Sequence, residues 1–181
     1  MISFQPLHSQ NQEVRLLIRV GVIGTGAMGQ NHVRIYSEMN GVELSGISDV
    51  DQKRVEAMAT QFKTKAFTDY KKMFAEGLDA VSVVVPTKLH KQVVLDALDA
   101  GIHVLVEKPI ADTTENADFM IAAAKKAGKI LMVGHIERFN PAVIKLKEII
   151  NSGILGKIVS ISTKRVGPYN PRIRDVGVIL D

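Results

Sequence analysis

The sequence predicts a doubly wound α/β fold, a parallel sheet with helices on both faces, followed by the first part of an α+β region. Three observations predict it. From residue 19 onward, short runs rich in β-branched residues alternate with amphipathic segments. A glycine-rich turn leaves the first run and opens a helix. Polar and ionisable residues gather just after the C-terminal ends of the runs, where open parallel sheets hold ligands. The bulk quantities agree. At ~150 residues per domain the 181 residues amount to about 1.2 domains. A hydrophobic fraction of 46% with a net charge of +4 supplies one real core and excludes a disordered chain.

The elements follow in order. Residues 1–18 read as a loose extension: Ser3–Glu13 is polar, carries three glutamines and one proline, and shows no periodicity. It lacks the basic start and apolar stretch of a secretory signal. The other reading is a start codon placed too early, with the true chain beginning near Leu17 or Ile18. Arg19–Gly24 is the first strand, and Val42–Ser48, Ala80–Val85, His103–Val106 and Ile130–Val133 read as further strands. Between them, Val55, Met58, Ala59 and Phe62 recur at helical spacing. So do Val94, Ala97 and Leu98, and then Ala117, Met120, Ile121 and Ala124. Asp112 and Glu115 have capping-box spacing ahead of the last of these, and Gly128 follows it. Asn140 and Pro141 open one more helix, which Gly153 closes. This alternation demands right-handed crossovers and a parallel sheet over residues 19–150. Lys157–Val166 reads as a strand with no helix after it, so a boundary falls near Asn151–Gly156 and residues 151–181 begin a different region.

Composition removes several functions. With no cysteine there is no disulfide framework, thiolate zinc site, iron–sulfur ligation or cysteine nucleophile, and no metal is expected. That content suits a reducing cytoplasm. No apolar stretch reaches the ~18 residues of a membrane span. Basic residues are spread along the chain and aromatics make up only 5%, so neither a nucleic-acid footprint nor a base-stacking platform is expected.

Gly24-Thr25-Gly26-Ala27-Met28-Gly29 carries the first chemical signal. Gly24 permits the tight turn, Gly26 lets backbone approach a pyrophosphate, and Gly29 lets helix and strand pack closely. The helix N-terminus offers free N–H groups to the phosphates. A ligand-free strand–helix turn is the alternative. Asp49 ends the second strand, 20 residues after Gly29, where a carboxylate accepts from ribose hydroxyls and repels a 2′-phosphate. NAD is therefore favoured over NADP, although Lys53 and Arg54 lie close enough to keep NADP open. The alternative for Asp49 is a helix cap, a role Asp51 serves equally well.

Pro86-Thr87-Lys88-Leu89-His90, Glu107-Lys108-Pro109 and Gly134-His135-Ile136-Glu137-Arg138-Phe139-Asn140-Pro141 follow successive strands. His90 either lines the nicotinamide pocket or starts a helix facing the sheet. His135 suits a substrate or nicotinamide contact, or else is a satisfied core histidine; Arg138 suits substrate, and Asn140 suits either substrate or a helix cap. Arg165, with Arg172 and Arg174 behind it, suits a diphosphate through bidentate hydrogen bonds, or else guards a strand edge. Asp175 is a candidate hydrogen-bond acceptor for substrate.

Together the glycine motif, Asp49, residues 86–90, the E-K-P of 107–109 and the G-H of 134–135 resemble the Gfo/Idh/MocA oxidoreductases, over about residues 18–181. Within that family, GHIERFNPA at 134–142 and RIRDVGVILD at 172–181 look most like the UDP-N-acetylglucosamine 3-dehydrogenases. The resemblance implies an NAD(P)-dependent sugar dehydrogenase. It implies an N-terminal Rossmann domain and a C-terminal domain for substrate and oligomerisation, of which residues 151–181 are the start. Pro86, Thr87, His90 and Glu107 then join the cofactor pocket, Lys108 is catalytic, and the Lys108–Pro109 bond is cis. Asp181 matches an aspartate that the family follows, four residues on, with a general acid–base histidine. That histidine is not in this sequence. The chain therefore reads as an N-terminal portion, through truncation, frameshift or fragmentation, that binds NAD but turns over poorly. Its full-length relatives are expected to be homo-oligomers, and an apolar edge around Ile158–Ile161 is expected to drive aggregation. The other functional reading is a stand-alone dinucleotide-binding module or partner subunit.

Overall fold

A computed structural model describes residues 17–164. The elements run β1 (Ile18–Ile23), α1 (Gly29–Glu38), β2 (Val42–Ser48), α2 (Gln52–Phe62), β3 (Ala66–Phe67), α3 (Tyr70–Phe74), β4 (Ala80–Val83), α4 (Thr87–Asp99), β5 (His103–Val106), α5 (Thr114–Ala127) and β6 (Leu131–Val133). A 3-10 turn (Ile136–Phe139) and α6 (Pro141–Asn151) follow. All six strands are parallel, in the order β3-β2-β1-β4-β5-β6. The chain winds outward from β1 in one direction, then crosses to β4 and winds the other way. Right-handed crossovers in opposite directions place helices on opposite faces. The order reverses between β1 and β4, and a crevice opens beyond their carboxyl ends.

Each face has its own core. On one, Val22 and Ile47 of the sheet meet Val33 of α1 and Val55, Met58 and Ala59 of α2. On the other, Val81, Val83, Val104 and Val106 meet Met73 of α3, Val94 and Leu98 of α4 and Met120 of α5. Period-2 alternation along each strand sorts these side chains between faces. Full burial of each contributes about 1.5–3 kcal/mol. Gly21 and Gly46, on neighbouring strands, leave room for Met73: a Cβ on either would lie 3.2 Å or less from its side chain.

Several expectations change. Strand Ala66–Phe67 and helix Tyr70–Phe74 have no counterpart in the sequence reading, because two and five residues are too short to show a period. Thr113, not Asp112, caps α5, accepting from the Asn116 N–H, while Asp112 accepts from the Asn116 side chain at 2.7 Å. Asp51 caps α2 through the Arg54 N–H, which leaves Asp49 free for other partners. The expected strand over Lys157–Val166 is absent through residue 164. A strand needs a neighbour to pair with, and none lies beside this segment among the described residues. Its Ile158, Val159 and Ile161 are exposed. The α+β portion is thus not evident, and residues 1–16 and 165–181 fall outside the described residues. No helix among the described residues is long and apolar enough to cross a membrane.

Candidate functional site

The turn Gly24–Gly29 is held by close backbone contact. Gly24 has φ +93, and a Cβ there would collide with the Val84 carbonyl. A Cβ on Gly29 would collide with the Gly24 carbonyl. Gly26 differs: a Cβ there meets nothing within 4 Å. Met28 is the N-cap of α1 and makes no side-chain cap bond, and Ala27 is exposed. The N–H groups of Gln30, Asn31 and His32 donate to the Gly26 and Met28 carbonyls, so it is the turn ahead of the helix, at Gly26, that stands beside open space. That space is a cavity of about 370 Å³ lined by Gly24, Gly26, Asp49, Arg54, Pro86 and Leu89 among others.

Asp49 lies at the cavity edge with both carboxylate oxygens engaged. Oδ2 accepts from the Thr25 N–H at 2.7 Å, the Thr25 hydroxyl at 2.8 Å and Arg54 Nε at 3.3 Å. Oδ1 accepts from the Asp51 N–H at 3.0 Å and Arg54 Nη2 at 2.7 Å. Burial alone pushes this carboxyl up. The Arg54 guanidinium and the backbone N–H groups of Asp51 and Thr25 outweigh it and hold the pKa at about 2. Thr25 is fully buried and turned toward Asp49, so its side chain and its own N–H serve the carboxylate rather than a ligand.

A second group forms where β5 and β6 end. Glu107 Oε1 lies 2.9 Å from His32 Nε2 on α1, and Glu107 Oε2 accepts from the Lys108 N–H at 3.1 Å. His32 Nδ1 lies 3.2 Å from Ser82 Oγ, which lies 2.8 Å from the Tyr36 hydroxyl. One direction satisfies every atom: Tyr36 donates to Ser82, Ser82 to His32, and His32 to Glu107. Burial raises the Glu107 carboxyl, but His32 and the Lys108 N–H prevail and lower it. Gly134 closes the group, since a Cβ there would lie 3.1 Å from Glu107 Oε1. Lys108 is half-buried next to this anchor, and the Lys108–Pro109 bond is cis, as the resemblance implied.

Four candidates take up hydrogen bonds within the fold. His90 is 1% exposed, with Nδ1 3.0 Å from the Pro109 carbonyl and Nε2 2.9 Å from the Val85 carbonyl. It ties two loops together behind the crevice instead of lining it. Glu107 faces α1, and its carboxylate meets His32 and the Lys108 N–H. Thr25 points at Asp49, as above. Asn140 caps α6, its Oδ1 accepting from the Ala142 N–H at 3.0 Å and its Nδ2 donating to Glu137 at 2.9 Å. Thr87 is buried in the first turn of α4 and Pro86 lines the cavity. His135 and Arg138 are exposed beyond β6. Arg165, Asp175 and Asp181 lie outside the described residues.

Sequence reasoning assigned no role to His32, Ser82 or Tyr36. A signal was present: Ser82 is the lone hydroxyl in the buried run Ala80–Val85, and a polar side chain there needs a polar partner across the sheet face.

Residues 18–135 match the oxidoreductase family with an NAD-binding Rossmann fold, designated Gfo/Idh/MocA. The chain is 36% identical over 164 residues to a UDP-N-acetylglucosamine 3-dehydrogenase of Acidithiobacillus ferrooxidans, covering 91% of this chain and 50% of that protein. A solved structure of the A. ferrooxidans UDP-N-acetylglucosamine 3-dehydrogenase superposes with a TM-score of 0.70 at 37% identity, over 74% of this chain and 43% of the other. Myo-inositol 2-dehydrogenase from Lactobacillus plantarum superposes at 0.75 with 28% identity, over 79% and 43%. The chain spans about half the length of the curated relatives it matches.

Proposed function

The chain belongs to the Gfo/Idh/MocA oxidoreductase family, and on that premise we propose that it is the cofactor-binding portion of a sugar dehydrogenase. The substrate class is a nucleotide sugar, the dinucleotide is NAD, and the setting is the cytoplasm. One observation carries the reading: the open space over Gly26 at the start of α1 shares a cavity with a carboxylate at the end of β2. A pyrophosphate fits the first and an adenosine ribose the second.

When bound, the nicotinamide supplies hydride chemistry, taking a hydride from a sugar carbon or returning one. This chain's residues do the rest. The N–H groups of Gly26, Ala27, Met28 and Gly29 hold the phosphates, and Pro86 and Thr87 wall the crevice. The Lys108 ammonium polarises the reacting oxygen and exchanges its proton. Glu107, held by His32, fixes the Lys108 backbone. His135, Arg138, Arg165 and Asp175 serve substrate binding in this reading, and Asp181 serves acid–base chemistry. Residues 19–150 form the cofactor domain and residues 151–181 open the substrate and oligomerisation domain.

Calorimetric titration with NADH tests this. Micromolar binding that Gly26→Leu abolishes supports it, and absence of heat in the wild-type chain overturns it. A second reading, a dinucleotide-binding module without catalysis, is favoured by one fact: the buried residues of both cores all lie between residues 22 and 124. The two readings part at Lys108→Ala, which removes turnover while sparing NADH affinity in the first and changes nothing in the second.

A further inference from the structure

We propose that Ser82 and Tyr36 are positioning residues for Lys108: they fix the tautomer and the orientation of the His32 ring, and through His32 and Glu107 they hold the Lys108 backbone. The inference rests on the reading of Lys108 as the group that acts on substrate, and deepens it. The sheet ladder runs out at Glu107, whose N–H still donates to the Val83 carbonyl at 3.0 Å. The next N–H, that of Lys108, donates to the Glu107 carboxylate at 3.1 Å. The aim of that carboxylate therefore bears on the point from which the Lys108 side chain departs.

His32 sets that aim. Its Nε2 lies 2.9 Å from Glu107 Oε1, which leaves Oε2 for the Lys108 N–H. An imidazole with a single anchor is free to turn and to carry its proton on the other nitrogen. The bond made by the second nitrogen decides both. Nδ1 lies 3.2 Å from Ser82 Oγ, so the ring is gripped at both ends. A serine hydroxyl alone serves either tautomer, since it donates and accepts. Tyr36 removes the choice. Its hydroxyl lies 2.8 Å from Ser82 Oγ. By donating there it turns the Ser82 proton onto Nδ1, and the His32 proton stays on Nε2 for Glu107. His32 and Tyr36 stand four residues apart on one face of α1, and Ser82 is buried in β4. The three side chains form a strut from helix to sheet that ends on the Lys108 loop. Packing alone would be served by an apolar residue at position 82, like Val22, its neighbour in register on β1.

The test is heteronuclear NMR of the imidazole nitrogens in the whole chain and in its Ser82→Ala, Ser82→Thr and Tyr36→Phe variants, with amide hydrogen exchange followed at Lys108 and Val104. Val104 is buried in β5 with its N–H on the Ile130 carbonyl, so it reports loss of stability and not loss of the strut. In the wild type His32 is expected as a single tautomer with its proton on Nε2. Ser82→Ala is expected to give a mixture of tautomers. It should also speed Lys108 exchange by at least about tenfold relative to Val104, as loss of a hydrogen bond to a charged acceptor requires. Ser82→Thr keeps a hydroxyl and restores both readouts. Tyr36→Phe removes one oxygen from the wall of a cavity of about 230 Å³, and moves both readouts the same way by a smaller factor. A wild-type proton on Nδ1, a Ser82→Ala effect below tenfold relative to Val104, no recovery in Ser82→Thr, or an inert Tyr36→Phe overturns the proposal. The dehydrogenase reading fails separately, if NADH gives no heat or Lys108→Ala changes nothing.

Discussion

Asp49 and Glu107 hold equivalent places, each the first residue after a parallel strand and each 9% exposed. Each accepts a nearby backbone N–H, and each faces a cationic or protonatable side chain. The surroundings then separate them. Asp49 opens on a cavity, and its partner Arg54 reaches it from solvent. Glu107 is sealed between α1 and Gly134, and its partner His32 is itself nearly buried. The same position in the fold thus serves two ends: one carboxylate stands where a ligand arrives, while the other holds a loop in place. Burial at the end of a strand does not tell them apart, but the exposure of the partner does.

The sharpest way to break this comparison is to remove each carboxylate. Glu107→Ala strands His32 inside the protein, and a loss of about 3 kcal/mol in urea unfolding is expected. Glu107→Gln keeps a donor and acceptor there and is expected to recover most of it. If the comparison holds, neither change alters ADP affinity, because Glu107 does not reach the adenosine cavity. Asp49→Asn is expected to weaken NADH by about tenfold or more, since hydrogen bonds to a charged acceptor contribute about 1.5–3 kcal/mol. Equal nucleotide effects from the two sites would erase the distinction.

Acid unfolding gives the next contrast. The Asp49 pKa is depressed to about 2 in the folded chain. A depressed carboxyl contributes stability above its unfolded pKa and loses it as pH falls through the folded one. Asp49 therefore supports the fold above pH ~4 and ceases to between pH ~4 and ~2, a contribution of about 2 kcal/mol. Glu107 is depressed too and acts in the same direction. Comparing urea midpoints of the wild type and Asp49→Asn at pH 5 and pH 3 checks the sign: the difference shrinks at the lower pH. The smallest effect is expected from Asn140→Ala. It removes a cap worth about 1 kcal/mol to α6 and leaves NADH affinity unchanged, which calorimetry reads directly.

The parts of the fold visible in the sequence were those with a repeating physical cause. The β-branched runs and helical spacings marked five of the six strands and the longer helices, and the turn Gly24–Gly29 carried its own mechanism. β3 and α3 were invisible because two and five residues hold too few repeats to show a period. The His32–Glu107 pair was invisible because 75 residues separate partners that only sheet winding brings together. Asn140 had two readings in the sequence, and the backbone settled it as a cap. Lys157–Val166 misled for a different reason: its residue pattern suits a strand, but pattern cannot provide a neighbour.

Val143, Ile144, Leu146, Ile149 and Ile150 give α6 a greasy flank that stays exposed among the described residues, and the helix buries none of its residues. Such a flank seeks other copies or a dye such as ANS. Self-association through it would couple by mass action to the nucleotide in any isotherm recorded on this polypeptide. Dissociation constants acquire meaning only when they repeat across a dilution series.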